Sequence, residues 1–298
     1  MALSGLTDAD LLSRLRRLDV HWDQSLALFA DSFALDALEA SKLRRAEVMR
    51  TGWRTTLVDR PFFARMFAQP FKIYEGSKRV DLSEHIDIEA YRDGVRSEER
   101  IDVDALFLRR RSHKRYRRGT LETTTLAKLL FLAYGVSRIE YLHDGSIPWR
   151  FRPIPSPGGL CAAEIYVVAV NTELESGIYH YRPDVNALEL IRLGVDEEIV
   201  NGACGISGFI NDADKICLVL VTTAMIERMF VKYADRAIKF ILIETGILGQ
   251  QLTLVAERLG LGTCMLGGYF DDEVNSMIGV DGVLESVQNV MVAGYPDK

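Results

Sequence analysis

The amphipathic run from about Asp235 to Leu259 constrains this chain most, because a helix of that length, with Gly260 as its stop, must bury one apolar face along its whole extent. Three short β-branched runs, Ile165–Val170, Ile216–Thr222 and Val287–Val292, read as buried strands. Another helix, with Leu126, Leu129, Leu130 and Ala133 at helical spacing, ends at Gly135. Helices separate some strands and hairpin-like turns such as Glu175–Gly177 separate others, so the pattern favours an α+β body over a doubly wound sheet.

Helical spacing also covers Thr7–Leu18, with Thr7 and Asp10 as a capping-box-like start, and roughly Leu35–Val48. Pro61 and Pro70 interrupt regular structure in the aromatic segment Trp53–Tyr74, and the charge-dense stretch Glu84–Asp104 reads as a connecting loop. These features predict a helical N-terminal extension over residues 1–104 and a mixed body over 105–298.

A net charge of −6 argues against a nucleic-acid or polybasic membrane binder, and 48% hydrophobic with 26% charged residues excludes a disordered chain. The stretches of highest hydropathy contain Gly and Gln, so a bilayer-crossing helix is not expected. Asp8 and Asp10 stand where a secretory signal needs basic residues and an apolar run, which points to the cytoplasm. Cys161, Cys204, Cys217 and Cys264 are far apart and lack ligand spacing, so they read as small hydrophobes instead of a disulfide framework or metal site.

Against this acidic background, Arg109–Arg118 packs seven Lys or Arg into ten residues. Such a run is either a solvated basic face or an anion site; for a phosphate, Arg111 offers a fork, Lys114 a point charge and Ser112 a hydroxyl. In Pro153–Ala163 two glycines precede a strand, which suits close backbone approach to a flat ligand and equally suits an ordinary loop. The strand follows these glycines instead of leading into them, which disfavours a Rossmann site. The glycines of Leu259–Phe270 give either a ligand-facing backbone or a helix stop and turn, with Asp271 placed to cap the next helix. Lys232 beside Tyr233, with Asp235 as a candidate N-cap, reads as a surface pair or as a base whose phenol the ammonium makes more acidic.

Taken in order, FKIYEGSKRVDL (Phe71–Leu82), RRSHKRY (Arg110–Tyr116), LLFLAYGVSR (Leu129–Arg138), RPIPSPGGLCAAEIYVV, SGIYHY, VKYADRAIKFILIETG and GQQLTLVAERLGLGTCMLGGYFDDEVNSMIG resemble the SagB-type dehydrogenases, flavin-dependent azoline oxidases of the nitroreductase superfamily. The resemblance implies an α+β nitroreductase-like FMN fold, a mainly antiparallel sheet flanked by helices. It implies that Arg111, Ser112 and Lys114 hold the FMN phosphate and ribityl chain, and that Pro155, Ser156 and Gly158 lie against the ring. Gln250 and the backbone of Leu266, Gly267 and Gly268 would complete the pocket. The flavin then sits between two subunits of a homodimer, with the C-terminal strand and long helix as interface surface. Lys232 and Tyr233 match the family's catalytic pair, and no metal is implied. The implied reaction oxidises a thiazoline or oxazoline of a modified precursor peptide to the azole, alongside a cyclodehydratase partner. Ile247 stands where relatives carry His, and the chain stops at Lys298 where many continue with a basic segment. An NAD(P)H-dependent FMN reductase and a non-catalytic peptide-binding scaffold are the competing readings.

Overall fold

The computed structural model describes residues 41–42, 60–68, 71–92, 102–143 and 145–297. The helix expected over Thr7–Leu18, and all but residues 41–42 of that expected over Leu35–Val48, lie outside the described residues. In chain order the helices are α1 (Pro61–Ala68), α2 (Ile88–Arg92), α3 (Val103–Arg109), α4 (Thr123–Tyr134), α5 (Glu197–Cys204), α6 (Ile226–Tyr233), α7 (Ala237–Arg258) and α8 (Asp271–Ile278). The strands are β1 (Arg79–Asp81), β2 (Tyr116–Arg117), β3 (Arg138–Leu142), β4 (Ile147–Phe151), β5 (Ala163–Ala169), β6 (Gly177–Arg182), β7 (Ala187–Leu193), β8 (Leu218–Met225), β9 (Gly262–Leu266) and β10 (Glu285–Pro296). All but β3 and β4 form one sheet in the order β1-β7-β6-β5-β8-β10-β2, with β9 also on β10; β3 and β4 make a separate hairpin. Every strand pairing is antiparallel, as expected of an α+β body.

The central strands look uniformly hydrophobic in sequence because both of their faces are buried. On β5, Ile165 and Val167 point into a core shared with Leu129 and Leu130 of α4 and Leu248 and Leu252 of α7. The alternate residues Tyr166 and Val168 enter a second core with Val200 of α5 and Val274 and Ile278 of α8. Leu218 and Leu220 against Val219 and Val221 repeat this division on β8. Each such aliphatic side chain contributes about 1.5–3 kcal/mol on full burial, so a one-residue register slip would lose both cores at once.

The long helix stops as expected: Leu261 N–H bonds to Ala256 C=O at 2.9 Å and Gly260 N–H to Glu257 C=O at 3.2 Å, with Gly260 at φ 75°. This is a Schellman closure, and the left-handed residue favours glycine. Three local expectations differ from the structure. Pro61 opens α1 instead of interrupting regular structure, because a proline at the first helical position gives up only an N–H that has no intrahelical partner. Glu84–Asp104, expected as a loop, contains α2 and most of a 3-10 turn; neither has a buried residue, so the polar composition of those elements reflects exposure. The first residue before α8 is Phe270, which makes no side-chain cap bond, and Asp271 lies within the first turn.

By length and composition alone, the run Ile226–Arg258 is apolar enough to cross a membrane, contrary to expectation. Its apolar character comes from two sources: residues such as Ile241, Leu248 and Leu252 face the core, while Ile238, Leu242 and Ile243 are exposed.

Candidate functional site

Two groups of the expected residues assemble in different places. The first lies beside β9. Ser112 makes a parallel bridge to Thr263, and His113 N–H donates to Thr263 C=O at 2.9 Å, so the basic segment runs extended along that strand. Extended backbone alternates its side chains, which separates Ser112 and Lys114 from Arg111 and His113. Arg111 and His113 line a hollow of about 440 Å³ with Arg109, Glu257, Leu261 and Pro296. Burial depresses the His113 pKa, and the guanidiniums of Arg111 and, less strongly, Arg110 add to it. Arg110, not named among the expected phosphate ligands, is the arginine whose alternation matches Ser112 and Lys114; period-two spacing points to it only once the segment is known to run extended along β9. Arg109 pairs with Glu257 and Arg118 with Asp214, whereas Arg110, Arg111, Lys114 and Arg115 have no carboxylate partner among the described residues. Arg110, Arg111 and Lys114 thus make no ion pair among the described residues, which leaves this short segment poised for an anion.

Leu266, Gly267 and Gly268 follow directly from β9, with Leu266 buried and both glycines exposed. A Cβ at 267 would meet open space, and one at 268 would lie 2.6 Å from the Phe209 ring. Gln250 is exposed on α7, next to Gly249, whose missing side chain admits Asn289 and Met265.

The second group gathers at the Pro153–Ala163 loop. Gly158 and Gly159 both have φ 65°, and Gly159 makes room for Trp149 of β4. A Cβ on Gly158 would lie 2.5 Å from Tyr233 Oη and 3.0 Å from Lys232 Nζ, so both side chains converge on one glycine. Lys232 and Tyr233 were expected to precede the long helix behind an Asp235 cap. Instead they form the last turn of α6, Asp235 lies in a 3-10 turn, and no side chain caps α7. Neighbouring helical residues point about 100° apart, and the two side chains still converge on Gly158 because each is long. Lys232 Nζ stands 5.4 Å from the Tyr233 ring centre, and Phe240 of α7 packs edge-on to that ring at 4.7 Å. Burial pushes the Tyr233 phenol up, the reverse of the shift expected from the neighbouring ammonium. Pro155 is exposed and Ser156 half-buried, with Ser156 Oγ accepting from Cys161 N–H at 2.9 Å.

Behind this loop stand charged residues that sequence reasoning passed over. Glu244 of α7 is fully buried and accepts from Ala163 N–H at 2.9 Å; burial raises its pKa. Burial would also raise Glu164, but Arg228 and His180 hold it below the usual carboxylate range. Each sits inside an apolar run, where only the fold shows that Glu164 is ion-paired and that Glu244 accepts from the Ala163 backbone. The four cysteines are buried free thiols, and burial lifts Cys161 to about 11 and Cys204 to about 12, which leaves them unreactive.

Gly158→Ala should destabilise the protein by about 1–2 kcal/mol from the left-handed backbone alone, before any clash with Tyr233. A lowered thermal midpoint together with slower turnover would bear this out; unchanged values would mean that the loop does not rest on the pair.

Three comparisons bear on what this arrangement is. A Methanocaldococcus jannaschii nitroreductase-like protein is 31% identical over 184 residues, 60% of this chain and 85% of its own length. The Escherichia coli microcin B17-processing protein McbC is 28% identical over 169 residues, 55% of this chain and 58% of McbC. Among solved structures, a nitroreductase-like protein of Anabaena variabilis superposes with a TM-score of 0.65 at 23% identity, over 88% of this chain but only 46% of that one. The E. coli McbBCD microcin synthetase complex with truncated pro-MccB17 bound superposes at 0.54 and 23% identity, over 86% of this chain and 99% of the matched one. The two superpositions speak for the fold. With the antiparallel sheet between α4 and α7 on one side and α5 and α8 on the other, and with the nitroreductase family model matching residues 108–295, the chain belongs to the nitroreductase family.

Proposed function

We propose that this protein is an FMN-dependent dehydrogenase that oxidises thiazoline or oxazoline rings of a modified peptide to the corresponding azoles. The observation that carries the reading is the convergence of Lys232 Nζ and Tyr233 Oη on Gly158. The likeness to McbC and the McbBCD fold supports a peptide substrate and a cyclodehydratase partner.

The residues present fit FMN. Arg110, Ser112 and Lys114 offer unpaired cations and a hydroxyl to its phosphate, and Arg111 adds charge from the other side of the strand. Exposed Gly267 and Gly268 offer backbone, with Gln250 nearby. Pro155, Ser156 and Gly158 present a second flat surface. The two surfaces contact α7 near Glu244 and near Glu257, thirteen residues or about 20 Å apart along the helix. We therefore assign them to opposite protomers of a homodimer, each site taking one surface from each chain. The exposed Ile238, Leu242 and Ile243 of α7 supply contact area. The C-terminal strand, expected to contribute to the interface, lies mostly buried within the sheet between β8 and β9.

When bound, FMN supplies the two-electron acceptor. The chain's own residues handle the proton. Tyr233 takes up the substrate's Cα proton on its phenolate oxygen, a form that burial makes scarcer, and the Lys232 ammonium beside it steadies that charge. The Ser156–Gly158 backbone sets where the ring can lie relative to both atoms. Incubating purified protein with an azoline-containing peptide should remove two hydrogens per ring by mass spectrometry, without added NAD(P)H. Turnover of nitroaromatics or quinones with NAD(P)H and no azole product would instead establish the reductase reading, which the likeness to the M. jannaschii protein favours. Protein that binds the peptide yet turns over neither substrate would be a scaffold.

A further inference from the structure

One buried cation links the two parts of the chain that meet at Gly158. Arg228 lies on α6, one helical turn before Lys232, so the two share a face of that helix. Its side chain is 12% exposed, and its Nη1 donates to Cys161 C=O at 3.0 Å and pairs with Glu164 Oε1 of β5 at 2.5 Å. Cys161 ends the loop that carries Gly158, in a left-handed conformation (φ 51°) uncommon outside glycine. Its N–H is taken by Ser156 Oγ, and Ala163 N–H two residues on by Glu244 of α7. Glu164 is held in turn by His180 at 2.7 Å, itself 3.6 Å from Glu189, which pairs with Arg182. The loop is thus tied to β5, α6 and α7 by charged or polar groups, and Arg228 is a cation that joins it to the helix bearing Lys232 and Tyr233.

We propose that Arg228 is a positioning residue, one that touches neither substrate nor cofactor but sets the separation between the Gly158 loop and the Lys232–Tyr233 pair. The proposal rests on the assignment of that pair to proton transfer. A guanidinium suits the task because one planar group can serve a carbonyl and a carboxylate together, whereas a lysine ammonium holds them with a less fixed geometry. Displacement of catalytic groups by about 1 Å can cost about 10²-fold in rate, so loosening this tie should act on kcat and leave flavin binding intact.

Arg228→Met alone leaves Glu164 buried without its cation, a change that can prevent folding. The informative variant is therefore Arg228→Met with Glu164→Gln, compared with Glu164→Gln alone and with Arg228→Lys. Azole formation in the double variant should fall about 10²-fold in kcat with KM and flavin content retained, and Arg228→Lys should recover part of the loss. A second readout does not depend on azoline chemistry: nitration of Tyr233 by tetranitromethane as a function of pH, followed by peptide mass mapping, with exposed Tyr141 as the internal standard. Release of the loop should speed Tyr233 nitration severalfold and move its pH profile downward as the phenol gains water, with Tyr141 unchanged. A double variant that keeps the Glu164→Gln kcat and nitration profile would overturn the proposal. If the parental protein forms no azole, the substrate reading fails, and the Tyr233 nitration profile alone still decides whether Arg228 sets the loop.

Discussion

Lys232→Ala, Tyr233→Phe and the double substitution are each expected to slow azole formation by about 10²- to 10⁴-fold, the range lost when a general base is removed. The three losses should be similar in size. The phenolate of Tyr233 takes the proton and the Lys232 ammonium steadies that phenolate against burial, so removal of either member disables the same step. All three variants should keep the flavin spectrum and, after dithionite reduction, return to the oxidised form in air at the parental rate, because the phosphate-facing residues lie on a different element. The sign of the pH dependence follows from the raised phenol. A base works in its deprotonated form, so the parental rate should still be climbing above neutrality as Tyr233 approaches its elevated pKa, and Tyr233→Phe should flatten that limb. Losses that simply add would mean two independent roles. Parental rates in the variants would make the pair structural and move the reductase reading ahead.

Arg110→Ala with Lys114→Ala should strip the protein of flavin. Each charge-assisted phosphate contact is worth about 1.5–3 kcal/mol, so loss of two weakens binding by about 10²- to 10⁴-fold. Arg111→Ala should cost less, because Arg111 lies with His113 on the other side of the extended segment. Flavin absorbance after gel filtration reads the outcome, and equal losses from Arg111→Ala and Arg110→Ala would show that the alternation does not govern the site. The same variant tests the shared site. Mixed by unfolding and refolding with a Lys232→Ala chain, it should regain roughly a quarter of the parental azole-forming sites, since half of randomly assorted dimers carry one intact pairing of surfaces. No recovery would place both surfaces in one protomer.

Much of the fold was legible because it rests on local signals. The long helix was readable from its apolar periodicity and Gly260, whose positive φ satisfies the last carbonyls. The strands at 163–169 and 218–225 were legible as β-branched runs, since a strand buried on both faces needs no polar alternation. The basic segment stood out by composition, and the Lys232–Tyr233 pair by its match to the pair of the family it resembles. Three features of the site were not legible. The division of Arg110 from Arg111 depends on which residues run extended along β9. The place of Lys232 and Tyr233 at the end of α6 depends on Ala234, whose φ of 48° breaks the helix there without a glycine. The rise in the Tyr233 pKa depends on burial, which sequence adjacency to Lys232 does not report.

What the sequence by itself determined is the set of elements and the chemistry on offer: an α+β body, a dense run of cations near residue 110, small residues before and after strands, and an ammonium beside a phenol. Those follow from spacing and residue type over a few turns, where each residue's preference acts on its neighbours. The tertiary structure alone decided which distant groups meet. Gly158 lies 74 residues from Lys232 and Glu164 lies 64 from Arg228, yet the first pair shares a surface and the second an ion pair. Burying Glu164, Arg228 and Glu244 is tolerable only with partners supplied by other strands and helices, and such partners carry no signature in the residues beside them.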